Sequence, residues 1–71
     1  MSVIQAFLIA GRTPEQKARL IAALTQATVS TLSVEPTTVR VIIKDIPNTE
    51  FGIGGATASS LGRGISRGSQ N

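Results

Sequence analysis

The 71-residue sequence contains no cysteine and no histidine. Disulfide bonds, zinc sites built on Cys or His, and Ser-His or Cys-His catalytic pairs are therefore excluded within this chain. Aromatic residues are also scarce, with two phenylalanines, no tyrosine and no tryptophan. A net charge of +3 would suit an acidic partner, but a nucleic-acid surface needs stacking aromatics or clustered cations, and the sequence has neither. We expect no nucleic-acid partner and no cofactor.

Acidic side chains are few and dispersed, at Glu15, Glu35, Asp45 and Glu50. This spacing argues against a carboxylate metal site, so no metal ligand is assigned. No apolar stretch approaches the roughly 18 residues that a membrane-spanning helix needs, and the amino terminus lacks the basic region and cleavage site of a secretory signal. The sequence therefore predicts a cytoplasmic protein that does not cross a membrane.

The chain is apolar for its length, with 41% hydrophobic and 15% charged residues. A domain this small buries only about 60% of its unfolded surface. Small proteins are usually stabilised by disulfides, by a metal or by oligomerisation, and the first two are excluded here. We therefore expect residues 1–71 to form a single domain, with a flexible tail from about residue 62 to residue 71, that hides apolar surface between subunits.

The first two thirds of the chain have the pattern of a β-α-β unit. Val3 to Ala10 is a nearly continuous apolar run, which predicts a strand buried on both faces. Thr13-Pro14-Glu15-Gln16 has the features of a helix start, with a hydroxyl cap, an early proline and a glutamine placed for a capping box. Apolar residues then recur at helical spacing to about Leu32. Thr38 to Ile43 is β-branched and predicts a second strand, parallel to the first with a right-handed crossover.

The glycine-rich segment Phe51-Gly52-Ile53-Gly54-Gly55 follows a turn and predicts a short hairpin arm. It is not placed between a strand and a helix, as a phosphate-binding loop requires. Phe51 is most simply a core or interface aromatic. Leu61 and Ile65 are candidates for docking on a neighbouring subunit.

Two arginines are candidate anion ligands. Arg12 lies at the junction between the first strand and the helix, where it is either a solvated loop charge or an anion ligand. Arg40 lies within an otherwise apolar strand, which favours an edge position, an ion pair or an anion ligand. The acids considered for such a pair, within the chain or across an interface, are Glu35, Asp45 and Glu50. None of these residues is a credible general base at neutral pH, so an enzyme would need a base from another group.

Three stretches in matching order resemble the small 4-oxalocrotonate tautomerases of the tautomerase superfamily. They are Leu8 to Lys17, Thr38 to Ile43 and Phe51 to Gly55, and the resemblance spans Ser2 to about Leu61 without a gap. It implies an α/β (α+β) protein with the β-α-β tautomerase fold, in which two parallel strands and one helix are followed by a short C-terminal hairpin. It also implies pairing of protomers into four-stranded dimers, and assembly of three dimers into a hexamer.

The same resemblance implies an isomerase that interconverts enol and keto forms of small 2-hydroxy and 2-keto acids. In the family, the general base is an amino-terminal proline exposed by loss of the initiator methionine, and this sequence has Ser2 at that position. Arg12 is implied to hold a carboxylate of a small carboxylic-acid substrate, and Arg40 of a neighbouring protomer to bind the 2-hydroxy/2-keto and carboxylate end. The further substrate contacts are Phe51, as an apolar wall, Leu8 and Thr38.

Ser2 leaves two functions open. Removal of Met1, which a small second residue favours, would expose a primary amine that could still act as a base with weak or altered activity. Retention of Met1 would move the amine by one Cα step, about 3.8 Å, and obstruct the mouth of the site. The alternative is a non-catalytic protein of the same fold. It would be either a partner subunit in a mixed hexamer whose other chain carries the proline, or a small-acid-binding protein.

Overall fold

The computed structural model describes residues 1–66, so the part of the expected tail at 67–71 lies outside the described residues. The chain forms strand β1, helix α1, a short 3₁₀ turn, strand β2 and a hairpin of two short strands, β3 and β4. Their bounds are Ser2–Ile9 for β1, Pro14–Leu32 for α1, Pro36–Thr38 for the 3₁₀ turn, Val39–Ile46 for β2, Gly52–Ile53 for β3 and Ala56–Thr57 for β4.

Strands β1 and β2 pair in parallel, in a register that runs from Ser2 opposite Val39 to Ile9 opposite Ile46. The predicted parallel β-α-β unit is confirmed, but both strand ranges were wrong at their ends. β1 begins at Ser2 and ends at Ile9 instead of running from Val3 to Ala10. β2 runs from Val39 to Ile46 instead of from Thr38 to Ile43, because Thr38 closes the 3₁₀ turn and the polar pair Lys44-Asp45 continues the strand alternation.

The prediction that the first strand is buried on both faces is wrong for the chain by itself. Ile4 and Leu8 are half-buried on the face that carries α1, whereas Val3 is 57% exposed and Phe7 58% exposed on the opposite face. On the neighbouring strand, Ile42 is 43% exposed. One helix can cover only one face of a sheet, so the other face of this chain remains apolar and open.

Helix α1 starts as the sequence predicts. The Thr13 backbone N–H donates to Gln16 Oε1 at 3.0 Å, and the Gln16 backbone N–H donates to Thr13 Oγ1 at 3.1 Å. This reciprocal pair is the expected capping box, with Pro14 at the first helical position. The helix ends at Leu32, where Ser33 adopts a left-handed conformation with φ of 56°. The predicted helix bounds are thus confirmed.

The carboxy-terminal part of the described chain packs on the end of the sheet. The predicted hairpin is confirmed as the antiparallel pair β3–β4, and Ala58 directly after it is fully buried. The chain then returns to β1, where the Ile65 N–H donates to the Ala10 carbonyl at 2.9 Å. Ile65, expected to dock on a neighbour, therefore bonds to its own chain, whereas Leu61 is 47% exposed.

The core of the described chain is small. Its buried hydrophobic residues are Ala10, Val39 and Ala58, no large side chain among residues 1–66 is fully buried, and α1 contributes no buried residue. Such a core supplies little of the hydrophobic stabilisation that folding requires. The open sheet face is thus the surface that association with further chains would bury. No helix of residues 1–66 is long and apolar enough to cross a membrane.

Candidate functional site

The predicted site residues lie at two opposite ends of the sheet. At the amino ends of the strands, Ser2 pairs with Val39, and Arg40 follows one position later opposite Val3. At the carboxyl ends, Leu8 precedes the turn that carries Arg12. The register from Ser2 to Ile9 covers seven strand steps, which separates the two ends by about 23 Å. One chain alone therefore does not bring Arg12 to Ser2 or Arg40.

Arg12 lines a pocket of about 250 Å³ together with Leu8, Gln16, Lys17 and Leu20, called the Arg12 pocket below. Gly11, with φ of 141°, turns the chain out of β1, and Thr13 then caps α1, so Arg12 is placed between a strand end and a helix start. Leu8 and Leu20 supply apolar wall. A long cation over an apolar surface is suited to a small organic acid, whose carboxylate and carbon chain need different surroundings.

Lys17 is a second cation in the Arg12 pocket, and the sequence reasoning missed it. Its Nζ atom lies 2.6 Å from Asp45 Oδ2, and the two side chains are only 18% and 11% exposed. The other oxygen, Asp45 Oδ1, is buried without a hydrogen-bond partner in the described chain. Strand alternation could have revealed the pair: once β2 extends to Ile46, Asp45 falls on the helix-facing side and needs a cation from α1.

We expect Asp45→Asn and Lys17→Met each to lower the free energy of unfolding by about 2 kcal/mol, because each change leaves the other half of a largely buried pair without its charge partner. Urea denaturation at fixed protein concentration measures the loss. Lys44→Met is the matched control, since Lys44 is exposed on the opposite face of β2. If Lys44→Met lowered the free energy of unfolding as much as Lys17→Met, the stabilising role assigned to the Lys17–Asp45 pair would be contradicted.

Arg40 is exposed on the open face of the sheet, and its Nη1 donates to the Thr37 carbonyl. Within the described chain, Asp45 is paired with Lys17 and not with Arg40, whereas a pair of Arg40 with an acid across an interface stays a prediction. Within residues 1–66, Arg40 forms no ion pair with Glu35 or Glu50 either. Its guanidinium therefore has donors free for a ligand.

Thr38 and Phe51 are placed at separate points of the fold. The Thr38 hydroxyl donates to the Glu35 carbonyl at 2.7 Å, which leaves its oxygen only as an acceptor for a ligand. Phe51 is half-buried at the entry to the β3–β4 hairpin, where its carbonyl accepts from the Ala58 N–H at 2.7 Å, and it does not line the Arg12 pocket. The proposed contacts of both residues with substrate stay predictions.

No group of three His, Cys, Asp or Glu side chains that could hold a metal ion is present in the part of the chain that the structure covers. The polar groups that the structure places at the two sheet ends include Arg12, Arg40, the Lys17–Asp45 pair and the hydroxyls of Ser2 and Thr38. Guanidinium groups bind carboxylates and stabilise developing negative charge, and an amine can move a proton.

Comparison with known proteins places the chain among tautomerases. A family model described as "Tautomerase enzyme" matches residues 3–59. A probable tautomerase of Ralstonia nicotianae is 48% identical over 60 residues, which are 84% of this chain and 86% of the relative. A 2-hydroxymuconate tautomerase of Stutzerimonas stutzeri is 41% identical over 63 residues, which are 89% of this chain and 100% of the relative.

Solved structures agree with this placement. An apo unfused 4-OT is 61% identical with a TM-score of 0.83, over 86% of this chain and 100% of that one. A fused 4-OT described as an asymmetric trimer is 59% identical with a TM-score of 0.85, over 86% of this chain. The present chain spans 50% of the length of that fused chain. At 59% and 61% identity, these two structures share much of their sequence, as well as their fold, with the present chain.

Proposed function

Because this chain belongs to the tautomerase family, we propose that it is an isomerase that interconverts the enol and keto forms of small 2-hydroxy and 2-keto acids. The observation that carries the proposal is the Arg12 pocket, which Arg12 lines together with the apolar residues Leu8 and Leu20. Such a pocket would hold the carboxylate of a small enol acid against Arg12 and its carbon chain against the leucines.

The reacting end of the substrate would be handled by residues from a second copy of the chain. Ser2 lies about 23 Å, and Arg40 about 20 Å, along the sheet from the end that carries Arg12, so a complete site needs a neighbour that runs in the opposite direction. Pairing of this kind would place the amino end of one chain beside the carboxyl end of the other. Arg40 of the neighbour would then bind the 2-hydroxy or 2-keto group and the adjacent carboxylate.

The assembly we propose is a hexamer of three dimers. The exposed apolar residues Val3, Phe7 and Ile42 on the open sheet face give further copies a surface to bury. A fused 4-OT, of which this chain spans half the length, is described as a trimer, and three chains of double length are in keeping with six units. Both a homohexamer and a mixed hexamer satisfy this argument.

The proton transfer would use the amino group of Ser2 after removal of Met1. The amine takes the proton of the enol hydroxyl, and the freed electron pair on oxygen forms the C=O π bond. The C=C π pair shifts to the substrate carbon and forms the new C–H bond with a proton returned by the ammonium. Two guanidiniums at the substrate's ends stabilise the charge that develops on oxygen. Because a serine amine replaces the family's proline, we propose that this activity is weak or altered.

The alternative is a non-catalytic role in the same assembly, and Ser2 at the proline position is the observation that favours it. In that case the chain would be a partner subunit in a mixed hexamer with a proline-bearing chain, or a small-acid-binding protein. The arginines would then retain a carboxylate without chemistry. In both roles we propose a cytoplasmic protein without a cofactor.

The proposal is tested by the rate of ketonisation of 2-hydroxymuconate and phenylenolpyruvate, on protein whose intact mass establishes whether Met1 is present. Turnover by protein that begins at Ser2 supports the isomerase. Binding of the enol acid without turnover supports the non-catalytic role instead. The absence of both binding and turnover at millimolar substrate would contradict the isomerase and the small-acid-binding protein, and would leave the role of partner subunit in a mixed hexamer.

A further inference from the structure

Arg12 also lines a second pocket, of about 500 Å³, whose walls are the segments Ile9–Arg12 and Arg63–Ile65. We call it the clasp pocket, because the second segment crosses over the end of β1. Its volume falls within the range of small-molecule sites. The clasp pocket is lined by a second arginine, Arg63, to which the site described above gives no role.

The backbone of Arg63 is fixed on both sides. Its N–H donates to the Ala58 carbonyl at 2.9 Å, and its carbonyl accepts from Asn48 Nδ2 at 2.9 Å. Two residues later, Ile65 donates to Ala10 and accepts from the Asn48 N–H, each at 2.9 Å. Asn48 is itself buried, at 8% exposure. Arg63 is thus an exposed side chain on an anchored main chain.

The close crossing depends on glycine at position 64. Gly64 has φ of +67°, and a Cβ at this position would overlap Ile9 Cγ2 and lie 2.9 Å from the Ala10 carbonyl oxygen. On the facing strand end, a Cβ on Gly11 would lie 3.8 Å from Gly64 Cα. The contact at Gly11 is an ordinary van der Waals distance, so it is the absence of a side chain at Gly64 that lets the two segments approach. Arg12 and Arg63 thereby line the same pocket.

The charge of the clasp pocket is uncompensated within residues 1–66. No acidic side chain lines it, and the ion pair found in that part of the chain, Lys17–Asp45, involves neither Arg12 nor Arg63. Two arginines line this pocket, so an anion bound there would reduce the repulsion between their like charges. A carboxylate suits this position because it accepts hydrogen bonds from both groups.

We propose that Arg63 is a specificity-determining residue, which shares with Arg12 the binding of the carboxylate remote from the reacting end, so that the site selects dicarboxylic over monocarboxylic enol acids. This inference rests on the proposed function for the identity of the reacting end. The role of Arg63 can nevertheless be tested without enzymatic activity, because selection between the two acid classes is measured by binding and requires no turnover.

The test compares binding of muconate and sorbate by titration calorimetry at low salt. Both are unbranched six-carbon dienoic acids, and sorbate lacks the second carboxylate. We expect Arg63→Gln to weaken muconate binding about tenfold and to leave sorbate binding unchanged, because one charge-assisted hydrogen bond to the remote carboxylate is lost. Arg19→Gln is the control for net charge, since Arg19 is exposed on α1 and lines neither pocket.

An equal loss of muconate affinity in Arg63→Gln and Arg19→Gln would overturn the proposal, as would an equal loss for muconate and sorbate in Arg63→Gln. The Arg63 backbone keeps its hydrogen bonds in the variant, and an unchanged circular dichroism spectrum establishes that it folds. Selective loss of muconate affinity in a protein without turnover would support the role of Arg63 and count against the isomerase. Turnover by the parent protein, with muconate affinity unchanged in Arg63→Gln, would support the isomerase and contradict the role of Arg63.

Discussion

Ser2→Pro is expected to raise kcat/KM for ketonisation of 2-hydroxymuconate by about 100-fold, in protein from which Met1 has been removed. The primary amine of Ser2 rotates about its bond to Cα, so its lone pair points in many directions. The pyrrolidine ring of proline fixes the nitrogen relative to the strand that follows. Since β1 begins at Ser2, the ring would be held at the end of an ordered strand. The steady-state rate of ketonisation measures the gain.

Ser2→Ala is the matched control for this prediction. It keeps a primary amine and a small second residue. We therefore expect Met1 to be removed as in the parent, and the rate of turnover to equal that of the parent. A gain in Ser2→Ala would point to the hydroxyl and not to the base. No gain in Ser2→Pro, on protein of verified mass and unchanged oligomeric state, would mean that the pocket is not arranged for enol chemistry.

Arg12→Ala is expected to lower kcat/KM by about 10² to 10³, because the change removes the guanidinium that holds a carboxylate and stabilises charge in the transition state. The measurement uses the Ser2→Pro background if the parent turns over too slowly. Arg12→Lys should recover part of the loss, since lysine keeps the charge but not the forked geometry that suits a carboxylate.

Arg19→Ala controls for the loss of one positive charge, because Arg19 lies on α1 outside the Arg12 pocket. We expect it to change kcat/KM less than twofold at moderate ionic strength. If Arg12→Ala and Arg19→Ala had the same small effect, Arg12 would be the solvated loop charge that the sequence left open, and the proposed site would lose its main ligand.

Local signals in the sequence predicted the helix well and the strand ends poorly. Thr13 and Gln16 form a cap through atoms that lie three residues apart, so their pattern can be read without any tertiary knowledge. The end of β2 was misjudged because Lys44 and Asp45 are polar. The structure shows that they alternate between the open face and the helix face, where Lys17 partners Asp45. That contact joins residues 28 positions apart, and no local pattern contains it.

Some residues of the candidate site could likewise be predicted from the sequence, and others could not. Arg12 and Arg40 could be identified as candidates from the sequence, because a cation beside or within an apolar strand requires solvent, an ion-pair partner or an anionic ligand. Arg63 could not, because its position depends on the crossing of two segments and on hydrogen bonds from Asn48. The separation of Ser2 from Arg12 likewise follows from the parallel register, and the proposal of a site shared between two chains rests on it.

The measurement that tests the account most directly is subunit complementation between two inactive variants. Arg12→Ala and Arg40→Ala chains, both in the Ser2→Pro background, are co-expressed with different tags, and the mixed oligomer is purified through both. If each site takes Arg12 from one chain and Arg40 from another, about a quarter of the sites in a random mixture are intact, and turnover returns to about that fraction. Mixed oligomers as inactive as either variant alone would contradict a site shared between chains.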